Sequence, residues 1–368
     1  GRGGDQAAVK LRDGYEFFGG VSKGVEKRNK VRTRIVANAI TEIVQTSQNI
    51  LVMGHRFADL DCVGAAVGLC AGLRNMGHNA SIVLDQGRSL AQSLVVKMKE
   101  EGLGELFISP EDALERLAAD TLLFVVDTHV KTLLESTTVY AGCRNVVVID
   151  HHRKMVDHID DAIIFFHEPY ASSACEMVAE LVQYLGENQK IAPAEASAML
   201  SGIMLDTKNF TLRTGVRTFE AAAYLRRMGA DTVEVRKLFA SNMESYQQKA
   251  QLVAAAQAYR GCAIACTEKE MPDMRIIASQ AADELLNISG VEASFLLFKV
   301  GNGVNLSARS MGTVNVQIIM ESMGGGGHQT MAAAQLTEIT MEETCQRLRQ
   351  AIDSYLEANP LPTLPANG

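Results

Sequence analysis

The sequence lacks three features that would each define a protein class. No apolar run approaches the roughly 20 residues that a membrane-spanning helix needs. The seven cysteines are scattered, without the spacing of a small secreted disulfide scaffold, which predicts free thiols in a reducing cytosol. Basic residues are outnumbered, with 35 Lys and Arg against 43 Asp and Glu and a net charge of −8. An acidic chain lacks the broad basic surface that long duplex DNA or an anionic membrane requires.

What the sequence does contain is enough apolar material for a folded protein of 368 residues, 47% of them hydrophobic. This length predicts two or three domains. Short apolar runs (NILVMG, ASIVLD, TLLFVVDT and NVVVID) alternate with stretches of helix length. This alternation predicts an α/β fold with a mainly parallel sheet and helices on both faces. A helix is predicted before the first run, with Val31, Ile35, Ile40 and Ile43 on its apolar stripe.

The second half of the sequence has a different organisation. We predict a first domain over 28–216, a helical connection over 217–259, a smaller α+β domain over 260–357 and a flexible tail over 358–368. In the smaller domain, the runs CAIACT, MRIIAS, ASFLLFKV and GVNLSARS are predicted strands, and SQAADELLN is a predicted helix.

Acidic and imidazole side chains follow successive predicted strands of the first domain. They are His55, Asp59 and Asp61 after the first run, Asp127, Thr128 and His129 after the third, and Asp150, His151 and His152 after the fourth. Asp206 ends a predicted apolar helix. Ligands of open α/β sheets gather beyond the carboxyl ends of the strands. Several carboxylates in one pocket would repel one another unless cations neutralised them, and two metal ions sharing a carboxylate are typical of displacement at phosphorus.

Each residue also has a structural interpretation. A single Asp at a strand end is often only a helix N-cap, and a single His beside a strand is often a hydrogen-bonded core residue. His78, His158 and His167 are interpreted as helix-end or loop residues, and a direct role for His129 stays open. A run of glycines at Gly324, Gly325, Gly326 and Gly327 is either a flexible loop or a backbone cradle for a phosphate or a base edge. Ahead of a predicted helix in QTMAAAQ, and beside Arg309, the cradle becomes the stronger interpretation.

Together these motifs resemble a known family. The segments GHRFADLDCVGAAVG, VVDTH, VVVIDHH and SGIMLDTKNF are similar to the four motifs of the DHH phosphoesterase superfamily, and GVNLSARS with GGGGHQTMAAAQ resembles the DHH-associated domain. Within the superfamily, the stretch over 307–335 is most similar to the GdpP-type cyclic di-AMP phosphodiesterases. Residues 1–27 resemble the end of the degenerate GGDEF domain that precedes the DHH domain in that type.

The resemblance implies specific roles. One divalent ion, most simply Mn²⁺, would be held by His55, Asp59 and Asp127, and a second by Asp61, Asp127, His151 and Asp206. His152 would face the phosphate, so that Asp127, His151 and His152 are the implied catalytic residues. Arg309, Gly324, Gly325, Gly326, Gly327 and His328 would bind substrate. Phe57-Ala58 and Val130 depart from the common pattern, which has Asn-Pro and Arg at these places.

The implied activity is hydrolysis of cyclic di-AMP to linear 5′-pApA. Two alternatives stay open: an oligoribonuclease and 3′-phosphoadenosine 5′-phosphate phosphatase of the same superfamily, and a catalytically inactive nucleotide sensor. The implied partner is a cyclic dinucleotide, with no long nucleic acid and no membrane contact by this part of the chain, which we expect to form a homodimer. The resemblance also implies a bacterial, cytoplasm-facing piece of a longer, membrane-anchored protein.

Overall fold

Two six-stranded sheets and a separate hairpin organise the part of the chain that the structure describes. The structure is a computed structural model, and it describes residues 6–11, 14–19, 30–186, 190–240, 243–270 and 274–360. The chain divides into two units, Gly1–Ala240 and Ser241–Gly368. None of the helices in the described ranges combines the length and apolar character needed to cross a membrane.

The strands of the first unit begin with the hairpin and continue with the first large sheet. They are β1 (Gln6–Leu11), β2 (Gly14–Gly19), β3 (Ile50–Met53), β4 (Ala80–Val83), β5 (Phe107–Ile108), β6 (Leu122–Val126), β7 (Asn145–Asp150) and β8 (Ile164–His167). The large sheet has the order β5-β4-β3-β6-β7-β8, and every pairing in it is parallel. The chain therefore reverses its direction of winding between β3 and β6, which is the position where open α/β sheets bind ligands. The sequence predicted four of these strands but neither β5 nor β8.

Helices cover both faces of this sheet, as the sequence predicts. The helices of the first unit are α1 (Lys30–Gln45), α2 (Leu60–Asn75), α3 (Gln92–Glu100), α4 (Pro110–Glu115), α5 (Thr137–Gly142), α6 (Ala174–Leu181), α7 (Pro193–Asp206), α8 (Val216–Arg227) and α9 (Thr232–Leu238). Ile50 and Val52 of β3 pack in the core on the face of α2 and α7, whereas Leu51 and Met53 pack with α4 and α5. This alternation follows from the two-residue period of a strand.

The predicted apolar stripe of α1 is half wrong. Val31 and Ile35 are 70% and 62% exposed, whereas Ile40 is fully buried. The buried face of the helix runs instead through Ala37, Ile40 and Val44. The small Ala37 allows close packing on this face. A search for large apolar residues alone does not identify Ala37 as part of the buried face.

Small residues bring α2 and α7 close together. A Cβ atom placed on Gly64 of α2 would lie 2.5 Å from the carbonyl oxygen of Ala198, and one on Gly202 of α7 would lie 2.7 Å from Cα of Asp61. Real Cβ atoms do not approach backbone so closely, so both positions require glycine. This packing holds Asp61 of α2 against α7, the helix that ends at Asp206.

The stretch predicted as a helical connection, 217–259, is divided between the two units. Helices α8 and α9 pack against α6 and α7 in the first unit. The physical reason is Arg217, which is buried on α8 and donates to Glu180 from Nε at 2.9 Å and from Nη2 at 2.7 Å. The remainder of the stretch, from Ser241 onwards, belongs to the second unit.

The second unit contains a mixed sheet with helices on both faces. Its elements are α10 (Met243–Ala254), β9 (Gln257–Tyr259), β10 (Cys262–Thr267), α11 (Met274–Leu285), β11 (Ala293–Val300), β12 (Gly303–Ser310), α12 (Val316–Ser322), β13 (Gly326–Gly327), β14 (Met331–Thr337) and α13 (Met341–Ala358). The strand order is β13-β14-β12-β11-β10-β9, and only β10 and β11 run parallel among these pairs. The predicted smaller α+β domain is confirmed.

Two local predictions in this unit are wrong. MRIIAS is the beginning of α11, because Ile277, Ala278, Ala281 and Ala282 recur with helical spacing on its buried face. The helix predicted in QTMAAAQ is also wrong, because Met331–Thr337 is strand β14. Its residues alternate between exposed and buried through the three alanines, and Ala332 and Ala334 fill narrow space under the glycine run.

The ends of the chain are described only in part. The prediction that residues 1–27 end a degenerate GGDEF domain stays a prediction, since residues 1–5, 12–13 and 20–29 lie outside the described residues. Most of the predicted flexible tail, 361–368, lies outside them as well.

The contact between Gly202 and Asp61 yields a test of how packing sets the site. We expect Gly202→Ala to destabilise the protein by about 1–3 kcal/mol, because the added methyl overpacks the helix crossing. Since the methyl meets Asp61, which the sequence resemblance implies as a metal ligand, the affinity for added Mn²⁺ should fall as well. Urea unfolding and metal titration measure the two effects.

A double variant separates the causes. The same methyl would also meet Sγ of Cys175. Cys175→Ala in the Gly202→Ala background should therefore restore part of the stability while the Mn²⁺ affinity stays low. Full recovery of metal affinity in the double variant would contradict the proposed displacement of Asp61.

Candidate metal centre

The predicted site residues of the first unit lie at the carboxyl ends of β3, β6 and β7, around the point where the chain reverses its winding. The loop after β3 is hydrogen-bonded to the loop after β6. Arg56 donates its N–H to the carbonyl oxygen of Leu133 at 2.8 Å, and His55 forms an isolated antiparallel β-bridge with Leu134. The structure thus brings His55 and Asp127 together, with Nε2 of His55 at 3.4 Å from Oδ2 of Asp127. This contact joins residues from two separate motifs.

Asp127 lies at the centre of the cluster. Its φ angle is +59°, a left-handed conformation that few residues other than glycine adopt, and it turns the chain sharply after β6. Its carboxylate is 3% exposed. Burial would raise its pKa, but His151 and His55 outweigh that effect and lower the pKa below the ordinary value of an aspartate. Asp127 is therefore held as a carboxylate between two imidazoles.

Asp61 is oriented by a helix N-terminus. Its Oδ2 accepts a hydrogen bond from the N–H of Ala174 at 2.7 Å, and its Oδ1 accepts one from the N–H of Cys175 at 2.9 Å. Both amides belong to the first turn of α6, where N–H groups have no partner within the helix. Burial, together with the charges of Asp127 and Asp206, nevertheless raises the pKa of Asp61 well above its ordinary value. A cation would offset this repulsion.

His151 carries the observation that favours a metal. Its ring is fully buried, and Nε2 lies 3.3 Å from Oδ1 of Asp127, 3.2 Å from Oδ2 of Asp206 and 3.7 Å from Oδ2 of Asp61. Among the described residues, neither ring nitrogen of His151 nor Oδ1 of Asp127 has a hydrogen-bond partner. Buried polar atoms without partners are costly, and imidazole with carboxylates is a donor set that divalent transition metals accept. These residues fit a metal ion.

Donor atoms from the described residues form three overlapping groups that could hold an ion. The groups are His55 with Cys62 and Asp127, Asp127 with His151 and His152, and Asp61 with His151 and Asp206. The shared Asp127 and His151 connect them into one continuous cluster. Of these residues, the sequence resemblance implies His55, Asp61, Asp127, His151 and Asp206 as ligands and His152 as a residue that faces the phosphate and is not a ligand; it does not imply Cys62.

Asp59 is the one predicted ligand that the structure leaves out of these groups. It is the N-cap of α2, since Oδ1 accepts hydrogen bonds from the N–H groups of Asp61 at 2.9 Å and Cys62 at 3.1 Å. Burial and the charge of Asp127 raise its pKa to about 6. In the group with His55 and Asp127, the thiol of Cys62 is the third donor instead of Asp59. Burial, however, raises the pKa of that thiol well above its ordinary value. This disfavours the thiolate, which is the form that binds metals.

His152 is positioned by residues whose role the sequence did not reveal. Oδ1 of Asp150 accepts hydrogen bonds from the backbone N–H of His152 at 3.1 Å and from its Nδ1 at 2.9 Å. The other oxygen of Asp150 accepts from Nδ1 of His129, whose Nε2 in turn accepts the N–H of Met155 at 2.9 Å. Those two bonds require the proton of a neutral His129 to lie on Nδ1. Nδ1 of His152 also lies 3.5 Å from Oδ1 of Asp127.

The loop after Asp206 has an unusual backbone. Lys208, Asn209 and Phe210 follow one another with φ angles of +49°, +55° and +63°. Left-handed residues normally occur singly, and strained backbone concentrates at functional sites. Hydroxyl Oγ1 of Thr207 stabilises this turn by accepting the N–H of Phe210 at 2.9 Å. This conformation is a signal that residue types alone did not give.

The predicted substrate-binding residues lie in the second unit and are described separately. Arg309 on β12 is 15% exposed, and its Nη1 donates to the carbonyl oxygen of Ala308 at 2.9 Å. Its Nε lies 3.4 Å from Oδ1 of Asp283 and has no hydrogen-bond partner among the described residues. Burial lowers the pKa of Arg309, and Asp283 offsets part of that effect.

The glycine run is an ordered edge of the sheet. Gly324 has a φ angle of +80°, and Cβ atoms on Gly325 and Gly327 would collide with the backbone of Ala333 and Ala332. Gly326 differs, because a Cβ there would meet no atom within 4 Å. It pairs with Ala333 in the antiparallel register, so the two residues share a face of the sheet. His328 is exposed, and its N–H donates to the carbonyl oxygen of Met331 at 2.6 Å.

Comparison with known protein families agrees with this geometry. The family described as "DHH family, N-terminal domain" matches residues 49–203, and the DHHA1 domain matches residues 267–358. The chain belongs to the DHH family. The DHH superfamily is metal-dependent, and the cluster around Asp127 brings together donor atoms that could hold a metal ion.

Two relatives of this chain have names that describe different activities. It is 46% identical over 366 residues to the cyclic-di-AMP phosphodiesterase GdpP of Bacillus subtilis, covering 97% of this chain and 55% of that protein. It is 26% identical over 339 residues to the bifunctional oligoribonuclease and PAP phosphatase NrnA of Thermus thermophilus, covering 90% of this chain and 96% of that protein. The chain thus spans about half the length of its GdpP relative.

A solved structure confirms the fold. The crystal structure of an exopolyphosphatase-related protein from Bacteroides fragilis superposes with a TM-score of 0.70 at 18% identity, over 88% of this chain and 97% of the other. At this identity the likeness concerns the fold alone. It supports the predicted α/β class.

The hydrogen bonds of Asp150 predict that His129 positions His152. Replacing His129 with Phe should lower the turnover of a phosphodiester substrate about 10- to 100-fold, the usual effect of losing a partner behind a site residue. Metal content should remain as in the unaltered protein, because none of the three groups of donor atoms includes His129. Steady-state kinetics and elemental analysis measure the two.

His129→Asn is the matched control. An Asn amide can donate from the position of Nδ1, so this variant should recover most of the lost turnover. Equal losses in both variants, or loss of metal in either, would show that His129 acts only in packing.

Proposed function

We propose that this chain is the catalytic part of a cyclic di-AMP phosphodiesterase and hydrolyses its substrate to linear 5′-pApA. The single observation that carries the proposal is the cluster of buried donor atoms around Asp127 and His151. The similarity to GdpP over 97% of the chain supports the choice of substrate. The chain has both parts that such an enzyme needs, a metal cluster and a separate sheet with a candidate nucleotide surface.

The site is proposed to hold two ions, with Mn²⁺ the preferred metal. His55, Asp59 and Asp127 would hold one ion, and Asp61, Asp127, His151 and Asp206 the other. Asp59 is favoured over Cys62 for two reasons. Only Oδ1 of Asp59 is used in capping α2, which leaves Oδ2 for an ion, and the raised pKa of the Cys62 thiol disfavours its thiolate form. When bound, such ions supply positive charge to the phosphate and acidify a water molecule.

The protein's own residues orient the reacting phosphate. His152 is proposed to face it and to donate a hydrogen bond from Nε2, since Nδ1 is held by Asp150. Burial lowers the pKa of His152, but Asp150 and Asp127 outweigh it and raise the pKa above its ordinary value. An imidazolium at this position stabilises the negative charge that develops on the phosphate oxygens. Asp150 and His129 keep the ring in the required orientation.

The second unit is proposed to bind an adenine base. The face of β14 that carries Met331 and Ala333 is exposed, and Gly326 continues it without a side chain. The small residues Gly326 and Ala333 leave a flat strip of surface beside Met331 on which a base could lie. Arg309 pairs with Met331 across β12 and β14, so its backbone lies beside this strip, and its guanidinium is proposed to contact a phosphate or a base there.

A second candidate function is that of an oligoribonuclease. The match to NrnA along nearly its whole length favours it, since the same two units suffice for that protein.

The homodimer and the membrane anchoring implied by the resemblance stay predictions.

Product analysis tests the proposal. The chain, incubated with Mn²⁺ and cyclic di-AMP, should release linear 5′-pApA, and it should cleave added pApA or short RNA much more slowly. Faster cleavage of pApA than of the cyclic substrate would favour the oligoribonuclease function. Absence of both activities with two ions bound, counted by native mass spectrometry, would favour a nucleotide sensor.

Asp127→Asn tests whether Asp127 is shared by the two proposed ions. Asn tolerates the left-handed backbone of this position, so the variant should fold. It removes the charge that the two ions would share, and we expect loss of both ions and of all hydrolysis. Retention of two ions with full activity would refute the bridging role of Asp127.

The open strip around Gly326 makes a further prediction. Gly326→Val should raise the KM for cyclic di-AMP at least several-fold while metal content stays the same, because the side chain would project over the proposed base-binding surface. The matched control is Ala258→Val, which places the same side chain at an exposed position of β9 on the opposite edge of the same sheet. Equal KM values for the two variants would contradict base binding at this strip.

A further inference from the structure

The second unit contains a close pair of thiols that the proposed hydrolysis does not use. Cys266 lies near the end of β10 and Cys345 near the beginning of α13, 79 residues apart in the sequence, and their Sγ atoms are 2.9 Å apart. Both elements are fixed to one core, because Cys262 and Ile264 of β10 and Leu348 of α13 are buried in it. The pair is therefore held in place by rigid neighbours.

These two cysteines differ from the others in the chain. Cys62, Cys70, Cys175 and Cys262 are buried, whereas both members of the pair are partly accessible. Cys143 is partly accessible as well, but burial raises the pKa of its thiol to about 11. The hydrogen bond from Cys266 and the nearby Arg349 lower the pKa of Cys345 to about 7, against the effect of burial. Within the pair, the pKa of Cys345 is therefore lowered, whereas the hydrogen bond to Cys345 and burial raise the pKa of Cys266.

We infer that Cys266 and Cys345 form a site of reversible disulfide modification, oxidised by low-molecular-weight disulfides. A disulfide bond of about 2.05 Å requires the two sulfur atoms to approach by less than one further ångström. The two sulfur atoms are already close together and partly accessible to solvent, and the lowered pKa of Cys345 favours the thiolate that attacks in thiol–disulfide exchange.

The reaction balances in two exchange steps. The thiolate of Cys345 attacks one sulfur of the small disulfide, forms a mixed disulfide and releases one small thiolate, which takes up a proton. The thiol of Cys266 then loses its proton to solvent and attacks Sγ of Cys345. The second small thiol leaves, and the protein retains the Cys266–Cys345 bond. One molecule of small disulfide is reduced to two thiols as two cysteine thiols are oxidised.

The bond would join α13 to β10 across a long segment of chain. That segment includes α11, β11, β12 and the glycine run, so the cross-link encloses the residues proposed to bind the base. A covalent link over such a segment restricts the unfolded chain and makes the second unit harder to unfold.

Oxidation of the whole chain with hydroxyethyl disulfide tests the inference. After treatment, unfolding in N-ethylmaleimide and mass spectrometry, two fewer cysteines than the seven should be alkylated, and one cross-linked peptide pair should contain Cys266 and Cys345. Reductant should restore all seven thiols. A persistent adduct on Cys345, a cross-link between other cysteines, or no loss of thiols would each overturn the inference.

Single variants separate the two roles. In Cys266→Ser, Cys345 should stop at the mixed disulfide and keep one small-thiol adduct, because the second thiol is missing. Cys143→Ser is the matched control, as it removes another partly accessible thiol, and cross-linking should proceed in it as in the unaltered protein. An adduct-free Cys345 in Cys266→Ser would contradict its role as the attacking thiol. The measurement on the unaltered chain does not depend on the folding of any variant.

Discussion

Repulsion among buried carboxylates is the constraint on which the first unit depends. Asp59, Asp61, Asp127 and Asp206 lie around two imidazoles at one edge of a parallel sheet, and burial raises the cost of each charge. The protein meets this cost in several ways. Asp127 lies between two imidazoles, Asp61 receives two amide hydrogen bonds from α6, and Asp59 caps α2. The repulsion that remains is what a divalent cation removes.

The architecture around the site creates this repulsion, because it brings the carboxylates together. Parallel strands bring the ends of β3, β6 and β7 to one edge, so side chains from distant parts of the sequence meet there. Glycines at the crossing of α2 and α7 let the backbones approach until Asp61 lies against the helix that ends at Asp206. Packing and chemistry are therefore coupled, because a single methyl group at Gly202 would disturb both.

The sequence predicted the parts of the molecule that depend on residue type and periodicity. Continuous apolar runs marked the central strands, and the histidines and aspartates that follow them marked the site. Sequence reasoning failed where tertiary packing decides. The helix predicted in QTMAAAQ is a strand, because the alternation of the alanines in β14 between core and solvent becomes visible only beside the glycine edge. The sequence alone does not assign a role to His129, because that role depends on Asp150, whose hydrogen bonds no spacing pattern reveals.

The hydrogen bonds that backbone amides of α6 donate to Asp61 link the candidate metal site to the folding of the chain. Asp61 and the first turn of α6 are separated by more than a hundred residues, 113 in the case of Ala174. A ligand that binds only the folded state stabilises that state, and the stabilisation grows with the logarithm of the ligand concentration once it exceeds Kd. Cellular metal supply would then influence how long each molecule survives quality control, in addition to how fast it works.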